Sequence, residues 1–515
     1  MQEYQTWEMF HKAARGKKVF LFGTGRAVRY LVGRCDDIEF VAAIDNNKQK
    51  QGFRIGEFNG DAVDTVYENI SICDISILDT FQRDNVVVLI TNIFDYQDIA
   101  EQLRPYGVRV FSMILMEMAA KGREDLGDII YPDFIERRQE YIQYCCSHTD
   151  ISDGKILVYI GKYGGHGKNI TKSLLQSGQN LDIVWIVNDL RMEVPDGVRL
   201  VYEDNWKRYI YEMETARIWL YDIIIPPYID KRPGQIYIET KHWSSITLKK
   251  FYLDDVSTIN SAEAAALVKH NGKLMDYILC GSEFDKDSCR SGFAFHGEFI
   301  QTGSPRTDTL FDLHCKEKVY MRYNMDSQIH TALYAPTFRI RKIGNEMKRG
   351  EILDFLKLKK ALEERFGGRW CMLLRLHPSM LADMDVAVSM NCMIDVSNYC
   401  DSQELVAACD ILISDYSSIM FEPAFVGKPV FLFAADRKEY VEKERDLLIE
   451  YDTLPFPIAE TNRELLENIQ NFDEEVYRNK VNVFLKKYGI CEDGHASERA
   501  AEFILKCLGE GGGDK

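Results

Sequence analysis

Short apolar runs alternate along the chain with segments of mixed polarity. In the first part these runs are KVFLF at 18–22, FVAAID at 40–45, NVVVLIT at 85–91 and VRVFS at 108–112. Apolar runs of this length, bounded by turn residues and separated by helical patterns, are typical of buried parallel strands. The pattern therefore predicts a small doubly wound α/β domain over residues 1–120.

The same alternation occurs twice more, after a polar segment that we interpret as a helical connector. A second series begins with KILVYIG at 155–161, and a third begins with TALYAPTF at 331–338. Two successive parallel α/β domains leave a cleft at the carboxyl ends of their strands, where such sheets bind ligands. The expected parts of the chain are 1–120, the connector 121–150, the domains 151–315 and 316–508, and a disordered Gly-rich tail 509–515.

Charge and composition narrow the classes of protein. The 515 residues carry a net charge of −17, which argues against a nucleic-acid-binding protein. No apolar run reaches the roughly 18 residues of a transmembrane helix, and the first residues lack the apolar core of a signal peptide. The 13 cysteines include no C-x-x-C pair, as in a reduced, cytoplasmic protein. No zinc-ligand spacing is present, and the one D-x-D match, DMD at 383–385, is close to what chance gives in a chain of this length, so we expect no metal site and no cofactor.

The stretch ISDYSSIMFEPAFVGKPVFLF, at 413–433, interrupts an apolar run with polar residues. Asp415, Ser417 and Ser418 fall where a strand ends and a helix is predicted to begin. Hydroxyls and unpaired amides at a helix N-terminus can bind a phosphate. Glu422, one turn further on, could reach a ribose hydroxyl. A plain serine cap with Glu422 at the surface is the alternative.

A second polar point lies in LLRLHPS, at 373–379, where Arg375 and His377 end an apolar strand. The period of two places both side chains on one face of that strand. An Arg and a His there suit the charge of a pyrophosphate. A histidine that only completes the packing is the alternative.

Further candidates are basic or lie at predicted turns. YAPTFRIRK, at 334–342, supplies Thr337, Arg339 and Lys342, which could hold a phosphorylated acceptor or lipid headgroups, or form a solvated loop. TGSPRTDTLF, at 302–311, places Arg306 in a turn between the second and third series. His242 follows a predicted strand and is a candidate general base. Lys249 lies downstream of that histidine as a candidate phosphate or acceptor ligand.

The first domain has part of a nucleotide-binding fingerprint. Gly23 and Gly25 open the turn after the first strand, and Asp45 ends the second strand. The third glycine of the fingerprint is replaced by Val28, so a Gly turn kept for tight packing is the stronger interpretation. A bound nucleotide or sugar-nucleotide is the alternative.

Six of these motifs, taken in order, resemble the CDP-glycerol:polyol-phosphate glycerophosphotransferase family of teichoic acid and capsule synthesis. They are KRPGQIYIETKHW, TGSPRTDTLF, YAPTFR, LLRLHP, the 413–433 stretch and DRKEYVEKERDLLIEY, and the likeness covers about residues 155–495. The resemblance implies a GT-B pair of Rossmann-like domains, here preceded by an extra Rossmann-like domain. It also implies metal-independent transfer from a CDP-alcohol such as CDP-glycerol to a polyol-phosphate or glycan acceptor. Such an acceptor can be lipid-linked at the inner face of the membrane.

The resemblance assigns roles to individual residues. His242 matches the essential histidine of the family's Trp-His-Gly, and His377 matches the histidine of Arg-x-His-Pro. Ser417 and Ser418 match the serines that hold the donor phosphates, and Glu422 matches the acid after them. The match is incomplete, because Trp-His-Gly reads here Lys-His-Trp at 241–243. A GT-B glycosyltransferase or epimerase and a non-catalytic nucleotide-binding subunit are the rival functions.

Overall fold

The computed structural model describes most of the chain as two compact units. Described are residues 5–92, 96–121, 132–161, 165–187, 194–255, 261–337, 352–376, 393–438, 440 and 446–509. The predicted site residues Arg339, Lys342 and His377 lie outside these residues. Unit 1 comprises Met1–Leu157, Asp182–Met192 and Val198–Ala216, and unit 2 comprises Val158–Leu181, Glu193–Gly197 and Arg217–Lys515.

The first sheet lies in unit 1 and is wholly parallel, with the order β3-β2-β1-β4-β5. The predicted strands are confirmed, and the two-residue β3 is an addition. A 3-10 turn at Arg26–Leu31 stands where a helix was expected after the glycines. The elements are β1 Lys18–Phe22, β2 Phe40–Ile44, β3 Ile72–Cys73, β4 Val86–Ile90, β5 Arg109–Ser112, α1 Trp7–Ala14, α2 Tyr96–Leu103, α3 Met113–Lys121 and α4 Pro132–His148.

The second sheet has seven strands in the order β12-β11-β10-β9-β6-β7-β8. The pair β7 and β8 and the series β9 to β12 are parallel. The strands β11 and β12 had not been predicted, because each has only four residues and β12 is also partly polar. The elements are β6 Ser152–Tyr159, β7 Asp182–Val187, β8 Arg199–Tyr202, β9 Ala216–Tyr221, β10 Ile236–Glu239, β11 Tyr277–Cys280, β12 Glu298–Gln301, α5 His166–Gln176, α6 Trp206–Thr215, α7 Ala262–Leu274 and α8 Glu283–Gly292.

The third sheet lies in unit 2 and is parallel, with the order β15-β14-β13-β16-β17-β18. The strands expected in TALYAPTF, in LLRLHPS and in the 413–433 stretch are confirmed, and β15 and β18 complete the sheet. The elements are β13 Ile329–Tyr334, β14 Arg369–Leu374, β15 Met393–Asp395, β16 Ile411–Ser414, β17 Val430–Phe433, β18 Ile458–Ala459, α9 His314–Arg322, α10 Phe355–Phe366, α11 Ser402–Ala408, α12 Glu422–Phe425, α13 Asn462–Gln470, α14 Glu474–Lys487 and α15 Ala496–Gly509.

All three sheets share one plan, in which the first strand is central and the fourth strand adds beside it. In such doubly wound sheets, ligands bind beyond the carboxyl ends of the strands where the order reverses. In the third sheet this point lies between β13 and β16, whose central residues are fully buried because helices cover both faces. Of the helices that the structure describes, none is long and apolar enough to span a membrane.

Candidate functional site

Predicted residues meet at the reversal point of the third sheet. Thr337 follows β13, and Asp415 follows β16. The amide N–H and the hydroxyl of Thr337 both donate to Asp415 Oδ1, at 2.8 and 2.6 Å. The amide of Tyr416 donates to the same oxygen at 2.6 Å. Asp415 is buried, and this side of its carboxylate is filled by chain groups. Its observed contacts therefore connect the ends of two strands and fix the start of the following turn.

The next two residues form a partly exposed turn. Ser417 and Ser418 are half-buried and begin a 3-10 turn, Ser418–Phe421, rather than the expected α-helix. The Ser418 hydroxyl lies 2.9 Å from that of Thr247 and accepts the Leu248 amide at 3.3 Å. The Ser417 hydroxyl makes no capping hydrogen bond. The turn therefore meets the segment that follows β10, the strand before His242.

Glu422 is buried and paired rather than exposed at the surface. Its Oε1 lies 3.1 Å from Arg306 Nε, and its Oε2 is buried with no hydrogen-bond partner in the described part of the chain. Burial raises the pKa of Glu422, although Arg306 and the nearby amide of Gln403 oppose the rise. The surface alternative is thus wrong for this residue. The carboxylate of Glu422 therefore faces the inside of the protein, where Arg306 holds it, and not an open surface.

Arg306 connects Glu422 to the predicted base. Its Nη1 donates to the carbonyl oxygen of His242, while its Nε faces Glu422. The imidazole of His242 is exposed. Its neighbour Lys241 has φ of 64°, a left-handed conformation that is uncommon outside glycine and is often found at functional sites. Three motifs that are far apart in sequence therefore meet at one arginine.

A second histidine supports this arrangement, and the sequence analysis had missed it. His166, the first residue of α5, is buried, with Nε2 at 2.7 Å from the carbonyl oxygen of Trp243. Its Nδ1 accepts the Arg306 amide at 3.4 Å. Burial, and then the charges of Lys241 and Arg306, hold its pKa well below 6.5. His166 is therefore a neutral ring that donates on one side and accepts on the other.

A buried ionic cluster lies beside the predicted phosphate ligand Arg375. Lys168 Nζ contacts Asp401 Oδ2 and, at 2.7 Å, Glu404 Oε1. Burial opposes the charge of Lys168, but the two carboxylates outweigh it and raise the pKa. Arg375 donates to the carbonyl of Tyr399 at 2.8 Å, and burial lowers its pKa while Asp401 opposes the fall. The cluster ties α5, next to the second sheet, to α11 of the third.

Lys249 lies in the segment that follows His242 and contacts residues that follow β17. Its ammonium lies 5.4 Å from the ring centre of Tyr440, within cation–π range, and its backbone bridges to Leu447. The Tyr440 ring stacks on Tyr416, which precedes the serine turn, at 3.8 Å. Lys249 is therefore held near that turn.

The glycine turn of unit 1 is tightly packed. Gly23 has φ of 101°, and a Cβ on it would lie 2.8 Å from Thr91 Oγ1. Asp45 accepts a hydrogen bond from the Thr24 hydroxyl, and the carbonyl of Gly25 accepts one from Asn59 at 2.8 Å. These contacts fit the packing interpretation of the two glycines.

The arrangement in unit 2 combines an exposed imidazole, buried cations and a serine turn at the edge of a parallel sheet. An exposed neutral imidazole can take a proton from a hydroxyl, and cations and hydroxyls can bind phosphate oxygens. No group of three or more His, Cys, Asp or Glu placed to bind a metal occurs within the described ranges. The sequence carried no comparable signal for Lys168, Asp401 or Gln403, because each lies outside the quoted motifs.

Comparison with known proteins identifies the family. The model of the CDP-Glycerol:Poly(glycerophosphate) glycerophosphotransferase family matches residues 145–506. The chain belongs to this family. Two relatives illustrate its range. A teichoic acid poly(glycerol phosphate) polymerase of Staphylococcus epidermidis is 27% identical over 68% of this chain and 49% of its own length. A teichoic acid poly(ribitol-phosphate) polymerase of Bacillus spizizenii is 32% identical over 62% of this chain and 55% of its own.

Solved structures of the wall teichoic acid polymerase TagF are similar in fold. One of them superposes with a TM-score of 0.64 and 25% identity over 74% of this chain and 96% of that chain. Among the curated relatives, the chain spans about half the length of the Staphylococcus epidermidis polymerase, but 83% of a teichoic acid poly(glycerol phosphate) polymerase of Bacillus spizizenii. Family membership therefore covers the second and third series, and the first 144 residues lie outside the match.

Proposed function

We propose that this protein transfers a polyol phosphate from a CDP-alcohol, such as CDP-glycerol, to a hydroxyl of a growing teichoic-acid-like or capsule polymer, with release of CMP. The observation that carries the proposal is that Arg306 contacts both His242 and Glu422 in a member of this family. The Ser418 turn contacts Thr247, in the segment that follows His242. These residues come from three separate sequence motifs, at 242, 302–311 and 413–433, that the fold brings together.

In the proposed reaction, His242 accepts the proton of the acceptor hydroxyl. The oxygen then attacks the β-phosphorus of the CDP-alcohol, a new phosphodiester bond forms, and the bond from the β-phosphorus to the bridging oxygen breaks. CMP leaves with the electron pair of that bond. Positioning and charge stabilisation supply most of the catalysis in phosphoryl transfer, so the surrounding cations matter as much as the base.

On the donor side, the amides and hydroxyls of Ser417 and Ser418 would bind the pyrophosphate, together with Arg375. His377 is the second catalytic residue in this proposal and would stabilise charge on the pyrophosphate, and Arg339 and Thr337 are further donor ligands, all by their motifs. Glu422 would use its remaining oxygen for a ribose hydroxyl, while its pairing with Arg306 keeps the carboxylate oriented. Lys249, Arg306 and Lys342 would attract the phosphates of the acceptor.

The architecture that goes with this reaction is a GT-B pair, with domains at 151–315 and 316–508, preceded by a Rossmann-like domain at 1–120. The parallel sheets with matching strand order support that proposal. The reaction would need no metal or other cofactor. An acceptor held at the inner face of the cell membrane would bring the enzyme to that surface.

The donor is the part of the proposal with the widest choice. Relatives named for glycerol phosphate and for ribitol phosphate both match this chain, at 27% and 32% identity. A TagF structure was obtained after soaking with CDPG, although at 22% identity this likeness concerns the fold alone. A panel with CDP-glycerol and CDP-ribitol is therefore the first comparison to make.

The experiment measures CMP release by purified protein with each CDP-alcohol and a phosphoglycerol-primed lipid acceptor. We expect acceptor-dependent CMP release with one of the two donors, and a loss of about 10²-fold or more in the His242→Asn variant, as for removal of a general base. UDP release from a UDP-sugar, or unchanged CMP release in the variant, would contradict the proposal.

A further inference from the structure

The residues on either side of His242 point inward to one carboxylate. Lys241 Nζ lies 2.5 Å from Asp285 Oδ2, and the indole Nε1 of Trp243 donates to Asp285 Oδ1 at 3.1 Å. Lys241, Trp243 and Asp285 are all buried, whereas His242 is exposed. One carboxylate therefore holds both neighbours of the exposed imidazole, with one oxygen for each.

Asp285 is itself firmly held. It lies in the first turn of α8, where its amide donates to the Ser282 hydroxyl at 3.0 Å. The amide of Gly281 donates to Asp285 Oδ2 at 3.1 Å. The Cβ of Asp285 thus belongs to a capped helix end that follows β11, and its carboxylate has little freedom to turn.

The backbone of the His242 loop depends on these contacts. The left-handed conformation of Lys241 is unfavourable for a side chain with a Cβ and persists only where the surroundings impose it. Asp285 holds the Lys241 ammonium, and Glu239 Oε1 accepts the Lys241 amide at 2.8 Å. With 241 and 243 directed inward, the side chain between them is directed outward.

We propose that Asp285 is a positioning residue for His242. It orients the imidazole by holding Lys241 and Trp243, the two residues that stand where the resembled motif has Trp and Gly. The inference rests on the proposed role of His242 as the base. Asp285 itself touches no substrate, since its side chain is fully buried. In this chain, a buried charge pair and an indole hydrogen bond therefore perform the orientation.

A test must separate orientation from folding, because Asp285→Asn alone leaves the Lys241 charge buried without a partner. Two double variants avoid this difficulty. Lys241→Met with Asp285→Asn removes the charges but keeps an amide oxygen for the Trp243 indole. Lys241→Met with Asp285→Leu removes the charges and the acceptor at similar volume. The Asn variant keeps one acceptor oxygen, for the Trp243 indole or the Gly281 amide, whereas the Leu variant keeps none.

Two measurements follow, on full-length proteins whose thermal unfolding midpoints are compared first. One is the rate of His242 modification by diethyl pyrocarbonate, located by peptide mass spectrometry. The other is kcat and KM for CDP-glycerol or whichever CDP-alcohol the panel identifies. We expect the Leu variant to lose at least 10-fold in kcat relative to the Asn variant at similar KM, and to change the His242 modification rate at least 3-fold.

Equal kcat and equal His242 modification rates in the two double variants would overturn the inference. If the wild-type protein releases CMP from no CDP-alcohol, the proposed function fails. The modification rate still reports the orientation of His242 in that case, so the two failures are distinguishable.

Discussion

The Arg306–Glu422 pair gives the sharpest test of the way in which the site is held together. We consider Arg306→Met, which keeps the length and apolar stem of the side chain but removes its charge. Arg306 is 12% exposed and Glu422 is 2% exposed, so the pair counts as buried. The variant also removes the hydrogen bond to the His242 carbonyl.

The expected loss of stability follows from the carboxylate charge of Glu422, which remains after Arg306 is replaced. Breaking a buried pair costs about 3–5 kcal/mol, because the other charge is left uncompensated. Glu422 avoids part of this cost by taking up a proton, since burial already raises its pKa. We therefore expect about 3 kcal/mol at pH 7.5. At roughly 2–4 °C per kcal/mol for a unit of this kind, the melting temperature should fall by about 6–12 °C.

The assay is a double-mutant cycle of Arg306→Met and Glu422→Gln, measured by thermal unfolding. The double variant should recover about 2 kcal/mol of the loss, because no charge remains unpaired. The loss in Arg306→Met should also be smaller at pH 5. A carboxyl group with a raised pKa destabilises the folded state only as the pH rises above its unfolded value of about 4.5. Additive effects of the two substitutions, or a loss independent of pH, would refute this reasoning.

Three further predictions concern other buried groups. Burial, and then Asp222, raise the pKa of Glu239 from 4.5 to about 8, so stability that is present below pH 4.5 is lost as the pH rises to 8. Glu239→Gln should therefore raise the free energy of unfolding at pH 8 by at most about 5 kcal/mol, with a higher melting temperature, and should leave both unchanged at pH 4.5. An equal effect at the two pH values would contradict this prediction. Lys168→Met should cost about 3–5 kcal/mol in thermal unfolding, because the buried Asp401 loses the ammonium of Lys168 while Glu404 keeps its contact with Lys318, and a loss below about 1 kcal/mol would contradict it. Gly23→Ala should cost about 1–3 kcal/mol in the unfolding of unit 1, since it combines a φ of 101° with a contact on Thr91, and an unchanged melting profile would argue against that strain.

The strand pattern was predictable because the three sheets are buried on both faces. Apart from Lys18 at the start of KVFLF and Ser414 at the end of ILIS, these runs are apolar, so their assignment needed no information about partners. The strands β11 and β12 were missed because each has only four residues, too few to carry a distinct period, and the edge strand β12 is also partly polar.

The positions of Asp415 and Ser418 just beyond the end of a buried strand were predictable, because polar residues there end an apolar run. The contacts between side chains from different motifs could not be predicted from the sequence. Nothing in the sequence indicated that Glu422 would face Arg306, because the two lie on separate motifs and meet only after the chain has folded.

The same limit applies to the groups that hold the predicted base in place. His166 and Asp285 lie far from His242 in sequence and act through the backbone or side chains of its neighbours. A residue of this kind resembles any other capped or buried polar residue until its partners are known.

The most direct measurement is a crystal structure of the His242→Asn variant with bound CDP-glycerol. The account predicts that the pyrophosphate contacts the amides or hydroxyls of Ser417 and Ser418 and that residue 242 lies within one water of the β-phosphate. A nucleotide bound only at the Gly23 turn of unit 1, or a pyrophosphate away from the serine turn, would contradict the account.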